Sequence, residues 1–322
     1  MTAISAVHLA LPDTVTPVTA LPEYPGLSDA DRALVDGLGI TSVGEAPGTG
    51  SSELAARAVR ELLDARGLDG GEVDALLLIG GRVPDYFVAS EATRVQHEAG
   101  LTGALSLTVT DLGCAASSAA LLTARALLES TPAWRRVVIA HGCRPAGPRR
   151  LRKPVTVNGD AGMAVLVEPH GGMRIVDMVM ETDGRYWDLF RVEYRDRPHQ
   201  DWQEVCVDEP RYSFSLAVES QKRFTALNER LLARQRLSLA DVDHFVMQNL
   251  SEGAYRFYEE GLGITFAAVC RDNLRRYGHL GPIDILANLR DGVESGELAP
   301  GDLVLVMNNS PVAAWSSTLI EV

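Results

Sequence analysis

Apolar runs recur from one end of the chain to the other, each followed by a stretch of helical periodicity. Residues 3–11, 73–79, 105–110, 136–141, 163–167 and 173–181 read as strands. Helices over 51–66, 90–100 and 115–129 lie between them. Runs with little polar alternation need cover on both faces, so the pattern predicts an α/β fold built on a buried sheet. Beyond Gly171-Gly172 the rhythm breaks and then resumes. A long amphipathic helix over 213–235 leads to a strand at 243–248, helices at 251–263, 267–277 and 282–295, a strand at 303–308, and a closing strand to Val322. Two stretches of similar length and order, 1–170 and 171–322, predict a duplicated α/β unit.

The length of 322 residues suits one large α/β domain or two ordinary ones. No apolar run reaches the length of a bilayer span, and the first twelve residues lack a basic leader followed by a long apolar stretch, so the expectation is a cytoplasmic protein. The four cysteines (114, 143, 206 and 270) have no CxxC spacing; such sparse use fits a reducing compartment and points away from zinc. A net charge of −13 disfavours nucleic acid as a partner. One local basic cluster, Arg149, Arg150, Arg152 and Lys153, reads equally as a solvated loop or as a contact for an acidic carrier protein.

Cys114 lies in Thr110-Asp111-Leu112-Gly113-Cys114-Ala115-Ala116-Ser117-Ser118, where a strand gives way to a helix. A thiol at a helix start feels the positive end of the macrodipole, which favours the nucleophilic thiolate. Taken alone, a single cysteine reads more readily as an apolar filler.

Other segments change that balance. Gly80-Gly81-Arg82-Val83-Pro84-Asp85-Tyr86, Ala89-Ser90 and Val95-Gln96-His97-Glu98-Ala99-Gly100-Leu101 precede the Cys114 strand. Asn158-Gly159-Asp160-Ala161-Gly162-Met163-Ala164 and Leu298-Ala299-Pro300-Gly301-Asp302 follow it. In this order they resemble the ketoacyl-acyl carrier protein synthase III branch of the thiolase superfamily, over nearly the whole chain except 12–50 and 170–212. The resemblance implies the duplicated thiolase fold, a five-layer αβαβα arrangement with Cys114 at the start of a buried helix between two mixed sheets. It also implies a homodimer, with the 105–110 strand suited to pairing across a two-fold axis. Cys114 is then the nucleophile. The donor is a coenzyme A thioester or the phosphopantetheine thioester of an acyl carrier protein, with no permanently bound cofactor.

The departures from the family pattern are chemical. Its condensing enzymes pair a His with an Asn. Here Val246-Met247-Gln248-Asn249-Leu250-Ser251 puts Gln248 at the His position, and Gly278-His279-Leu280-Gly281-Pro282-Ile283-Asp284 puts His279 at the Asn position with a carboxylate five residues on. Glutamine is no base. Cys114, His279 and Asp284 remain as nucleophile, base and orienting carboxylate, the parts of a cysteine acyltransferase. The combination resembles synthase III-like acyltransferases of natural-product pathways, which move an acyl group without making a carbon–carbon bond.

In the family a terminal glycine turn completes the oxyanion hole. Here the turn reads Asn308-Asn309-Ser310-Pro311-Val312-Ala313-Ala314-Trp315, so Val312 takes the donor place, because Pro311 has no N–H. Gln248 or Asn249 either adds an amide donor or holds the loop. Of the residues that grip coenzyme A in the family, Arg152 is matched, whereas Ala33 and Gly37 replace an aromatic and a basic residue. The leading expectation is transfer of an acyl group through Cys114 to a hydroxyl or amine of a secondary metabolite. The alternatives are a starter-unit synthase making a carbon–carbon bond and a non-catalytic partner of a ketosynthase. The aromatic segment 184–211 reads as an acceptor entrance, a dimer flap or ordinary core.

Overall fold

The apolar runs pair into a nine-stranded sheet in the computed structural model, which describes residues 2–312 and 314–322. In chain order the first part comprises β1 (Thr2–Ala10), a small antiparallel pair β2 (Thr14–Pro17) and β3 (Ser42–Glu45) with α1 (Asp29–Gly37) between them, α2 (Ser51–Arg66) and β4 (Ala75–Ile79). It continues through α3 (Glu91–Glu98), β5 (Leu105–Val109), α4 (Ala116–Ser130), β6 (Val137–Cys143), a short pair β7 (Leu151–Arg152) and β8 (Thr156–Val157), and β9 (Ala161–Glu168). The second part comprises β10 (Met173–Thr182), the hairpin β11 (Phe190–Val192) and β12 (Glu204–Cys206), α5 (Ala217–Gln235) and β13 (His244–Met247). It closes with α6 (Glu252–Leu262), α7 (Ala268–Tyr277), α8 (Asp284–Ser295), β14 (Leu303–Ser310) and β15 (Ala314–Glu321).

Strand order repeats between the parts. The first runs β5-β4-β6-β9-β1, with β4 parallel to β5 and β6 and the remaining pairs antiparallel. The second runs β13-β14-β15-β10, with β13 parallel to β14 and the remaining pairs antiparallel. A counterpart of β5 is reduced to a single parallel bridge between Phe245 and Phe266. β1 and β10 join the two groups through only their first residues, Thr2–Ile4 against Met173–Ile175.

Side-chain alternation sorts the layers. Leu76 and Leu78 of β4 enter an outer cluster with Ala55, Val59 and Leu62 of α2 and Val95 of α3, whereas Ala75, Leu77 and Ile79 enter the larger cluster beneath. That larger cluster holds the buried faces of α4 and α8, and α5 covers β10 and β15 on the far side. The result is the five-layer arrangement of the thiolase fold, with Cys114 at the head of a central helix. Among the described residues no helix is long and apolar enough to cross a membrane.

Local differences from the sequence reading have physical reasons. Residues 12–50, without clear periodicity, form β2, α1 and β3. The 213–235 helix begins as a π-type turn over Arg211–Leu216 before α5. The basic cluster is not a free patch. Arg150 is buried, with both oxygens of Asp160 at 2.9 and 2.8 Å and Glu45 at 3.0 Å. Lys153 pairs with Asp31, Arg149 donates to Gln203, and Arg152 faces Glu204. Counter-ions from distant segments absorb the charge.

Helix α2 lies unusually close to the sheet because Gly142 of β6 and Gly162 of β9 face each other in register beneath it. A Cβ at Gly142 would stand 1.9 Å from Ser51 O, and one at Gly162 would stand 2.1 Å from Leu54 O. The obstacle in both cases is helix backbone, which cannot step aside as a side chain can. Gly162→Ala is therefore expected to destabilise the protein by about 1–3 kcal/mol or more, read as a lowered denaturant midpoint. An unchanged midpoint would mean that α2 shifts freely on the sheet.

Candidate active site

Two left-handed residues turn β5 into α4: Asp111 at φ 68° and Gly113 at φ 52°. A 3-10 turn over Gly113–Ala115 carries Cys114 to the head of α4. Glycine is required at 113 for a second reason. A Cβ there would meet Ser310 Oγ at 2.4 Å, so the glycine lets the Ser310-Pro311-Val312 turn lie close against the Cys114 turn. In the second part of the chain another 3-10 turn, Gly281–Ile283, leads into α8, and these two turns pack against each other. The site is where the two central helices begin.

His279 enters this junction as a strap. Its N–H donates to Val157 O at 2.9 Å, and its carbonyl accepts from Gly159 N at 3.1 Å, tying the turn to the Asn158-Gly159-Asp160 segment. Its Nε2 lies 3.1 Å from Cys114 Sγ and its Nδ1 lies 2.6 Å from Asp284 Oδ2. Asp284 also accepts from the backbone N–H groups of Leu280 at 2.7 Å and Asn249 at 2.9 Å. An Nδ1–H donated to the carboxylate leaves Nε2 for the sulfur. Cys114 is 4% exposed, and His279 and Asp284 are fully buried.

Burial alone would push the Cys114 thiol up; the His279 imidazole, helped by Arg152 and Arg82, reverses this and holds it below the ordinary thiol value. Burial likewise opposes the charge on His279, but the Cys114 thiolate and Asp284 outweigh it and raise the imidazole to about 9. Both directions favour the thiolate–imidazolium form over the neutral pair.

The structure brings Cys114, His279, Asp284 and Val312 to one place, and gives Gln248 and Asn249 a different task. Gln248 donates Nε2–H to Asn309 O and accepts from Asn309 N, both at 2.7 Å, so its amide is spent on the backbone of β14. Asn249 donates to Gly278 O and accepts from Tyr255 and Asn288. Neither points an amide at the reacting sulfur. Val312 lines the cavity with its N–H loosely set 3.4 Å from Ser310 Oγ; Ala313 of the same turn lies outside the described residues.

Sequence reasoning missed several neighbours. Asn308 donates Nδ2–H to Cys114 O at 3.1 Å and reaches the Ser117 and Ser118 hydroxyls, clamping the start of α4 to β14. His141, its Nδ1–H on Ile79 O and its pKa driven by burial to about 4, is neutral on the cavity wall. Glu204 stands between Arg82 and Arg152, one oxygen 3.0 Å from each Nε. Arg82 lies within a segment already singled out for the resemblance, but nothing local to Glu204 announces its partners. His141, Arg82 and Glu204 line a cavity of about 720 Å³ that opens from Cys114 past Phe190, Tyr194 and Trp202. Thus part of the 184–211 segment forms a wall of the site. Arg152 is on that wall.

Residues 232–322 match the family described as 3-oxoacyl-[acyl-carrier-protein (ACP)] synthase III C terminal. The chain is 26% identical over 279 residues to a beta-ketoacyl-[acyl-carrier-protein] synthase III of Neisseria meningitidis serogroup C, 84% of each being covered. Among solved structures it is similar to the acyltransferase ChlB3 (TM-score 0.84, 20% identity, 100% of this chain and 97% of that one). It is also similar to 3-oxoacyl-(acyl carrier protein) synthase III, FabH, from Pseudomonas aeruginosa PAO1 (TM-score 0.81, 18% identity, 99% and 98%).

Two outcomes follow from the geometry. His279→Asn removes the imidazolium and leaves burial as the main influence on the thiol. The midpoint of Cys114 alkylation by iodoacetamide should then rise above the ordinary thiol range. Its rate at pH 7 should fall roughly tenfold for every unit of that rise. A profile unchanged by the substitution would rule out the ion pair. Gln248→Leu should cost about 1–3 kcal/mol of stability through the unpaired Asn309 backbone, with the alkylation profile of the folded protein unmoved. A shifted profile would instead place Gln248 in the chemistry.

Proposed function

Because the chain is a ketoacyl-acyl carrier protein synthase III-like member of the thiolase superfamily, we propose that it is an acyltransferase that carries its acyl group on Cys114. The observation that supports this most is the Cys114–His279–Asp284 relay, with Gln248 held instead on the Asn309 backbone.

In the first half-reaction the Cys114 thiolate attacks the carbonyl carbon of an acyl thioester. The oxyanion that forms lies toward the N–H groups of Cys114 and Val312. Collapse breaks the carbon–sulfur bond to the carrier, whose thiolate takes the proton from His279 Nε2. The imidazole is now neutral. In the second half-reaction it accepts the proton of an acceptor hydroxyl or amine as that group attacks the acyl carbon. Expulsion of the Cys114 thiolate restores the resting ion pair, and Asp284 holds the imidazole in one tautomer throughout.

Decarboxylative condensation asks for two donors on the malonyl carbonyl, and here one of the family positions is a committed glutamine. Condensation nevertheless stays as the second reading, because the curated relatives are named ketoacyl synthases. A purely structural partner subunit would have no use for a nucleophile next to an imidazolium. The donor is a coenzyme A or acyl carrier protein thioester, with the carrier protein favoured: Ala33 and Gly37 stand exposed on α1 with no ring or cation to hold adenine. The acceptor is a small molecule of secondary metabolism. The outer edge of β5, which pairs only with β4, is where a second copy of the chain would add its strand in a homodimer.

Intact-protein mass spectrometry with a panel of acyl-coenzyme A and acyl-carrier thioesters tests the reading. The expected result is an acyl adduct on the wild type, none on Cys114→Ala, and no carbon dioxide from a malonyl thioester. Absence of any adduct would overturn the transferase, and carbon dioxide release dependent on Cys114 would favour condensation.

A further inference from the structure

The cavity beside Cys114 differs in charge from the rest of the molecule. The chain carries −13 overall, yet the cavity lining includes four arginines (82, 144, 152 and 191) against two carboxylates, Asp111 and Glu204. Three of the arginines are engaged. Arg82 donates to Arg144 O at 3.0 Å and to Asn158 Oδ1 at 2.9 Å besides facing Glu204; Arg144 reaches Thr49 O; Arg191 pairs with Glu193.

Arg152 is different. It is 6% exposed, its Nε faces Glu204 Oε2 at 3.0 Å, and the ring of Phe190 covers its guanidinium at 4.3 Å. Among the described residues its two terminal amino groups make no hydrogen bond to protein, and the side chain borders the cavity. Glu204 lies in ion-pair contact with both Arg82 and Arg152, and Phe190 packs over the Arg152 guanidinium. A buried, preoriented cation with its fork unused is an expensive arrangement unless a ligand completes it.

We propose that the reactant that sits beside Cys114 carries a carboxylate, received by the free edge of Arg152. The inference rests on the transferase reading for the identity of the reactants, though not for the binding itself. A planar carboxylate matches the two parallel N–H groups of that edge. The ionised Glu204 next to it works against a dianionic phosphate more strongly than against a monoanion. The mouth suits the remainder of such a molecule: Phe87, Trp187 and Tyr194 line it with exposed aromatic faces, Phe87 stacked on Tyr194. Arg152, which the family resemblance assigns to the donor's nucleotide, acquires a role toward the substrate.

The test is protection of Cys114 from iodoacetamide by straight-chain and phenyl-substituted monocarboxylates, each compared with its primary amide. In the wild type the carboxylates should protect with an apparent Kd about 10- to 100-fold below that of the amides. Arg152→Gln should bring the two within about twofold, and Arg152→Lys should recover part of the preference. Because carboxylate and amide are compared in the same protein, a general loss of folding lowers both and leaves their ratio.

A second arm locates the carboxylate. If N-acetylcysteamine thioesters ending in a carboxylate load Cys114 faster than those ending in a methyl group, it belongs to the acyl chain. Indifferent loading with selective protection assigns it to the acceptor. Equal protection by carboxylates and amides, or a preference that survives Arg152→Gln, overturns the proposal. So does Arg152-dependent protection by 4′-phosphopantetheine without protection by carboxylates. Failure of every thioester to load would sink the transferase reading while leaving the protection result to stand or fall by itself.

Discussion

Cys114, His279 and Asp284 lie in one buried line between the heads of two central helices, and the architecture around them makes charge on that line tolerable. Taking an ionised group out of water costs several kcal/mol before any compensation. Compensation comes from three sources: mutual pairing at 3.1 and 2.6 Å, the Leu280 and Asn249 N–H groups on Asp284, and the positive ends of α4 and α8 facing the two anions. Repetition of the strand order is what brings those helix ends face to face. Each helix by itself offers half a site.

A shell of amides holds this line in place. Asn308 fastens α4 to β14, Gln248 fastens the end of β13 to β14, and Asn249 is itself fixed by Tyr255 and by Asn288, which also donates to Met247 O. Neutral amides suit the task because they satisfy buried backbone groups without adding charge. The consequence for the site is that one imidazole, that of His279, meets the Cys114 sulfur. Where a second imidazole could stand, a glutamine with both ends occupied keeps two strands in register.

The fold was legible in the sequence where its periodicity is local. The span of α2 is periodic and its boundaries agree with the reading at both ends. Cys114 stands at a strand-to-helix change that is visible locally, whereas His279 and Asp284 stood out only through the resemblance to the family. The cluster at 149–153 misled because a run of like charges says nothing about Glu45, Asp31 or Glu204, which come from remote parts of the chain. Gln248 was ambiguous for a related reason: its two bonds go to backbone sixty-one residues away, and backbone has no sequence signature. The 184–211 segment had no periodicity to read, since its hairpin packs through aromatic contacts and ion pairs rather than through one apolar face.

The hairpin β11–β12 divides the labour of the protein in a way that bears on how such chains diversify. The relay is anchored in the central helices and strands, where almost any substitution meets backbone or buried charge. Glu204, Phe190, Tyr194 and Trp202 ride on or beside an excursion at the surface that adds no strand to the main sheet. Selection can therefore rewrite what enters the cavity by altering one short excursion, at little risk to the machinery that moves protons. Recruiting the same scaffold to a new substrate becomes a matter of grafting a loop, and the order of changes along a lineage should be read first in that excursion.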